Sequence, residues 1–158
     1  MADSPASQSA AKWIPPVAFY FQVNFQRMGG PNFRASFLEA GGLSWDLGKK
    51  VYRGNNGSFQ AVPTNMTLKR PLGPMSGSLA KWLKECHDFI SSARKDKDKK
   101  AVMTYDIVIH LMDKDGKPQA SWQCINAYPM KWNLGNFASD KSEMAIETIE
   151  LAYARLER

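Results

Sequence analysis

A mainly β fold with one flanking α-helix is the class this sequence predicts, and three observations predict it. "VAFYFQVNF" alternates apolar and polar side chains from Val17 to Phe25, the period of two that a half-buried strand requires. "YDIVIHLMDKDGKPQASWQCINA" places two such runs on either side of a Gly116 turn, the pattern of a β-hairpin. One segment, opening at Ser78, carries an apolar stripe at helical spacing on a polar background. Short strands punctuated by turns suggest a two-sheet sandwich or small barrel.

The elements follow in chain order. Residues 1–16 read as a flexible polar arm ending at Trp13 and Pro15-Pro16, and 17–158 as a single domain. "MGGPN" turns the chain after the first strand, and "FRASFLEAGGLSWDL" continues as a second extended segment. Gly41-Gly42 inside it marks a bulge or bend where a strand changes sheets. "KKVYR", the turn cluster "GNNGS" and "FQAVP" then form two extended arms about a Gly/Asn tip, and "NMTLKR" is a further short strand. From Ser78, residues Leu79, Trp82, Leu83, Cys86, Phe89 and Ile90 make the helical stripe, with Ser76 or Ser78 as N-cap. The hairpin occupies Tyr105–Leu111 and Trp122–Asn126.

The tail, "SDKSEMAIETIELAYARLER", fits two periods. Asp140 and Glu143 offer a capping box, and Ile146, Ile149, Tyr153 and Leu156 recur at helical spacing. The same letters alternate as a strand, with Ala145, Glu147, Ile149, Leu151 and Tyr153 on one face. Local propensity alone favours helix.

Composition excludes several classes. A chain of 158 residues with 44% apolar side chains can build a core without staples. Cys86 and Cys124 are the only cysteines and lack a CxxC context, so they read as reduced, buried thiols of a protein folded in a reducing cytosol. No run approaches the ~20 apolar residues of a membrane span, and "MADSPASQSAAKWIPP" has no apolar signal-peptide core. Much of the net charge of +6 sits in "ARKDKDKKA" (Ala93–Ala101), where acids interleave with lysines as in a solvated connector.

Catalysis finds no constellation. Cys86 and His87 are adjacent on a helix and point about 100° apart, unsuited to a dyad. His110 sits in a strand, and "MGG", "AGG" and "GNNG" lack the context that cradles phosphate. Asp113 and Asp115 are turn residues, and the carboxylates Glu147 and Glu150 belong to no recognised motif. No cofactor or metal is expected. Lys-flanked aromatics in "YPMKWN" and "VYR" leave one reading of another class open, a monomeric β-barrel that binds nucleic acid or another ligand.

"VAFYFQVNF", "FLEAGGL", "VYRGNN", "MTLKRPL", the Trp-containing helix, "YDIVIHLMDKDGKPQASWQCINAYPMKW" and "SEMAIETIELAYARLE" occur together in an order that resembles the tail-tube (inner-tube) protein family of contractile phages and phage-tail-like contractile injection systems. The resemblance covers Val17 to Glu157; the long polar arm and the charged insert depart from it. It implies a fold like the type VI secretion tube, two roughly orthogonal sheets with a flanking helix and an extended hairpin arm. It also implies that the tail, Met144 to Leu156, is strand rather than helix.

The function implied is mechanical. Six subunits form a ring by joining sheets edge to edge, and stacked rings form a conduit for cargo, expelled when a sheath contracts. Implied partners are the chain itself, a contractile sheath protein, baseplate or spike-hub and terminator proteins, and cargo in the lumen, without membrane insertion. Assembly in the bacterial cytoplasm and display on an extracellular particle or virion tail follow; a type VI secretion tube is the related alternative. Within the arm from Asp46 to Pro63, the matching letters Val51, Tyr52, Arg53, Gly54, Asn55 and Asn56 are the implied inter-subunit contacts, with Val51 and Tyr52 buried there. Leu79, Trp82 and Leu83 are expected to anchor the helix.

Overall fold

The structure is a computed structural model that describes residues 20–46, 50–53, 56–59, 62–63, 65–92 and 104–158, with the backbone alone described at 46, 50–53, 56–59 and 62–63. The expected arm at 1–16, the insert at 93–101, and Gly54 and Asn55 lie outside the described residues. In chain order the elements are β1 (Tyr20–Gln26), β2 (Phe33–Ala35), β3 (Glu39–Gly41), β4 (Trp45–Asp46), β5 (Lys50–Arg53), β6 (Asn56–Phe59) and β7 (Val62–Pro63). They continue with β8 (Met66–Pro71), α1 (Ser78–Ser92), β9 (Tyr105–Met112), β10 (Pro118–Leu134), β11 (Ile146–Ala152) and β12 (Arg155–Glu157).

Eight strands share one hydrogen-bonded path, β2-β1-β9-β10-β11-β8-β3, with β12 paired to β10. Its two terminal strands are consecutive in the chain, separated only by residues 36–38. Leu38 N–H already donates to the Lys69 carbonyl at 2.8 Å, so the chain leaves β2 and joins the far end of the path at once. A sheet whose ends are tied this closely must curl back on itself. Accordingly Val23 and Phe25 of β1 and Met66 and Leu68 of β8, from opposite ends of the path, meet in one core.

The expected second extended segment is therefore three short strands, broken at 36–38 and at Gly42. Gly42 has φ +81°, and a Cβ there would collide with the Asn65 carbonyl, so the residue after β3 has to be glycine.

The larger correction concerns β10. It was expected to end at Asn126 but runs on to Leu134. Asn126 takes φ 53°, a left-handed conformation that asparagine tolerates, and its N–H is satisfied by Asp106 Oδ1 at 2.9 Å. The register with β9 breaks there, between Cys124 and Ala127. Up to Ala127 β10 pairs with β9 and, through Gln123 to Ile125, with β12; from Tyr128 it pairs with β11. Pro129 lies at a further irregularity, between Pro129 and Lys131, where a residue without an N–H costs the ladder least. The bend that the sequence assigned to Gly41-Gly42 as a change of sheet is thus made mainly by β10.

The tail is strand. Within β11, Glu147, Ile149 and Leu151 are buried and their neighbours half-exposed, the alternation of a strand. It is not one run from Met144 to Leu156: the chain breaks at Tyr153-Ala154, where Ala154 N–H donates to the Ile125 carbonyl at 2.8 Å, and resumes as β12.

Helix α1 buries Leu79, Trp82 and Cys86, holds Leu83 and Phe89 half-buried, and leaves Ile90 61% exposed, so the stripe is narrower than expected. Lys81 N–H bonds the Gly77 carbonyl at 3.0 Å, which places the cap at Gly77, between the two serines proposed for it. Trp82 packs edge-on against Phe25 (5.8 Å between centroids) and Tyr105 (5.0 Å), and Phe33 stacks on Phe25 at 4.5 Å. These rings join the helix to β1, β2 and β9.

Truncating Trp82 to Ala removes the ring at the centre of that cluster and should cost about 3–5 kcal/mol in chemical denaturation. Ile90→Ser, on the exposed side of the same helix, should stay within about 0.5 kcal/mol of the parent. Equal losses from the two variants would place the helix's apolar contact elsewhere.

Candidate functional site

The candidate site is a set of assembly surfaces. The first is the pair of open edges. β2 pairs only with β1, and β3 only with β8, so each leaves one side of its backbone without a strand partner among the described residues. Monomeric proteins blunt such edges, whereas assembling ones leave them for a neighbour.

The second surface is the arm. β4 and β7 form a two-stranded root, and β5 and β6 a separate hairpin in the register Arg53↔Asn56, Tyr52↔Gly57, Val51↔Ser58 and Lys50↔Phe59. Among the described residues β5 and β6 hydrogen-bond to no other strand, and isolated two-stranded ribbons are marginal in water. Of the arm residues singled out in the sequence, Val51, Tyr52 and Arg53 fall on β5 and Asn56 on β6. Trp45 Nε1 donates to the Leu156 carbonyl at 3.0 Å, pinning the root of the arm to β12.

The third surface was missed by the sequence. Arg70 of β8 forms an ion pair with Glu147 of β11, directly opposite it in the ladder. Trp132 Nε1 donates to Glu147 Oε2 at 2.8 Å, and Gly73 N–H approaches Glu147 Oε1 at 3.4 Å. Arg70 also lies over the Phe37 ring, 5.8 Å from its centroid. Glu147 is only 3% exposed, and three donors from three segments satisfy it. Its signal was present in the tail, a lone carboxylate on the inward, otherwise apolar face.

Above this pair a cavity of about 290 Å³ opens between α1, the β8–α1 connection and β10, lined by Leu72, Met75, Ala80, Leu83 and Trp132, with Lys84 and His87 at its side. Leu72, Met75 and Trp132 all present large exposed apolar surface there. A contiguous apolar patch around a tryptophan marks a contact surface or a ligand-binding groove.

The residues weighed for catalysis stay apart. Cys86 is buried, and desolvation pushes its thiol up to about 11, while His87 is exposed beside Asp88. His110 Nδ1 is paired with Ser121 Oγ at 2.6 Å. Asp113 Oδ1 accepts from the N–H groups of Asp115 and Lys117, both at 2.8 Å, and so closes the hairpin turn. Among the described residues no group of His, Cys, Asp and Glu has the arrangement of a metal site, and no helix is long and apolar enough to cross a membrane.

Among the described residues the fold is thus a curled antiparallel sheet with one helix, two strands paired on one side only and a hairpin that pairs with no other strand. The sequence model of the T4-like virus tail tube protein gp19 matches residues 17–157, and the chain belongs to that family of structural tube proteins. Two solved structures share the fold at 22% identity. One, from the anti-feeding prophage baseplate, has a TM-score of 0.68 over 92% of this chain and 95% of that one. The other, from the sheath-tube complex of an extracellular contractile injection system, PVC, has 0.66 over 98% and 97%. Hcp1 from Flavobacterium johnsoniae is similar at 14% identity and a TM-score of 0.52, over 88% and 94%. No curated protein sequence matches the chain.

Two predictions follow from the buried groups. Glu147→Ala or Arg70→Ala leaves a buried charge without its partner and should cost about 3–5 kcal/mol in urea denaturation; the double variant should lose less than the two single losses added. Burial raises the thiols of Cys86 and Cys124 from 9.0 to about 11 and about 12. The folded chain thus keeps protons that the unfolded chain releases. Their contribution to stability is complete below pH 9 and is lost as the pH rises toward 11–12. Thiol reagents at pH 8 should react with both only after unfolding; rapid native reaction would contradict the burial.

Proposed function

We propose that the chain is the structural subunit of the inner tube of a contractile injection system or phage tail, assembling as hexameric rings that stack into a hollow conduit. The observation that carries this reading is the family match over residues 17–157, on a fold whose strand edges and hairpin are left for neighbours to complete. A head-to-tail contact of this kind closes into a ring when its rotation divides the circle. Domain 17–158 supplies the wall, and the work is mechanical: a rigid tube, driven outward when a surrounding sheath contracts, needs no chemistry of its own. The family match to a phage tail tube protein favours this reading over a type VI secretion tube.

The partners in this reading are further copies of the chain, a contractile sheath protein, baseplate or spike-hub and terminator proteins, and cargo in the lumen. The similar chains come from structures described as a baseplate, a sheath-tube complex and a sheath/tube terminator, which supports that set. Assembly takes place in the bacterial cytoplasm, and the finished particle works outside the cell. In the arm, Val51, Tyr52 and Arg53 meet an adjacent subunit or ring, and Gly54, Asn55 and Asn56 turn the chain at its tip.

Light scattering after size-exclusion chromatography should give a six-subunit mass, and negative-stain microscopy should show rings or tubes. A strictly monomeric species at high concentration, with neither rings nor tubes, overturns the reading. Removing residues Gly54 to Ser58 should leave the circular dichroism spectrum of the folded domain intact while blocking long tubes. Normal tubes from that variant would reduce the arm to decoration.

A further inference from the structure

The row of strands β2-β1-β9-β10-β12 has two ends, and the chain finishes them differently. Among the described residues β2 pairs only with β1, and β12 only with β10. β12 is three residues long and lies in the register Gln123↔Glu157, Cys124↔Leu156 and Ile125↔Arg155. Successive residues of an antiparallel strand turn their N–H and C=O groups to opposite sides of it. The Leu156 carbonyl accepts the Trp45 indole N–H at 3.0 Å, a donor from outside the ladder. Leu156 therefore turns its backbone groups away from β10, and Arg155 and Glu157 turn theirs toward it. The carbonyl that Trp45 takes is the acceptor that β12 presents on its outer side.

A side chain, not a strand, thus holds the position where the sheet would continue. β7 runs beside β12, but it pairs with β4 in a sheet of its own and adds no ladder to β12. Trp45 sits opposite Pro63 in that small sheet, and proline has no N–H with which to extend a ladder. The indole suits this place by its chemistry. It is a donor only, so it satisfies the carbonyl and offers an incoming strand no acceptor in return. Trp45 also remains 52% exposed, so burial of the ring in the core is not what fixes it there. A tryptophan that is half in solvent yet spends its one polar group on an edge carbonyl is a cover for that edge.

We propose that Trp45 is an edge cap: its indole closes the outer side of β12 to strand addition by a second copy of the chain, and leaves β2 and β3 as the edges at which copies can pair. Without the cap, two copies can meet β12 to β12. That contact is isologous, so it closes as a dimer and stops further growth. The inference goes beyond the tube reading and does not depend on it, since it concerns one edge whatever form the assembly takes.

The test is Trp45→Phe in the full-length chain, which keeps a ring at the root of the arm and removes only the N–H. The net worth of one hydrogen bond corresponds to about a fivefold rise in the population of uncapped edge. The concentration at which light scattering first detects self-association should fall by about that factor relative to the parent. Trp45→Ala, which also removes the ring, should lower it at least as far. Because the ring is half exposed, both variants should keep the parent's circular dichroism spectrum. Amide hydrogen exchange then locates the contact: residues 153–158 should exchange more slowly in the associated variant than in its dilute form. An onset unchanged or raised in Trp45→Phe overturns the proposal. So does a lowered onset without slower exchange at 153–158, which places the new contact on another surface. A parent that forms neither rings nor tubes defeats the tube reading but leaves this comparison of variant with parent intact.

Discussion

Strand β10 has to serve two sets of partners, and the local backbone conformation at Asn126 makes that possible. A strand that stays in register cannot pair with β9 and β12 along one part of its length and β11 along the next while every side faces one core. One residue in a left-handed conformation, with its N–H carried by Asp106, takes up the mismatch and re-aims the remaining chain. Cys124 before the bulge and Ala127 after it are both fully buried, so inward alternation is re-established within three residues. The path through β11, β8 and β3, and the return of the chain through residues 36–38 to β2, all depend on that bend.

A second constraint lies beside α1, where an open cavity adjoins the core. Glu147 faces inward there because the period of β11 leaves it no choice, and a carboxylate in that position is tolerable only when paired and hydrogen-bonded. Arg70 occupies the opposing ladder position, and Trp132 supplies a further donor from β10. Such a pair contributes less to net stability than an apolar pair of similar volume would, but breaking it is costly, so it fixes one arrangement of β8, β10 and β11 among the alternatives. It also leaves the indole of Trp132 lining the groove with its N–H already used.

These features suit the family of structural tube proteins to which the chain belongs. Short edge strands, a hairpin that pairs with no other strand among the described residues and an apolar groove are liabilities in a monomer and assets in a polymer. Each exposes surface or backbone that a repeat of the same chain can cover. Trp45, by bonding the Leu156 carbonyl, holds the root of the arm against β12.

Periodicity by itself determined much of this protein. The alternation in β1 and β9, the turn closed by Asp113, and the inward set Leu79, Trp82 and Cys86 on the helix depend on side chains a few residues apart, and local sequence encodes such spacing directly. It also carried the inward register of Glu147, Ile149, Leu151 and Tyr153, although not the choice of strand over helix, since both periods fit those letters and helix propensity favoured the wrong one. That choice was made by β8 and β10, which offer the tail a backbone partner on each side that a helix would forgo. Tertiary structure also decided that β10 would continue through Pro129, that Glu147 would meet an arginine 77 residues away, and that Trp132 would line a groove. Each of these depends on which strands become neighbours once the sheet has curled, and no window of sequence contains both partners.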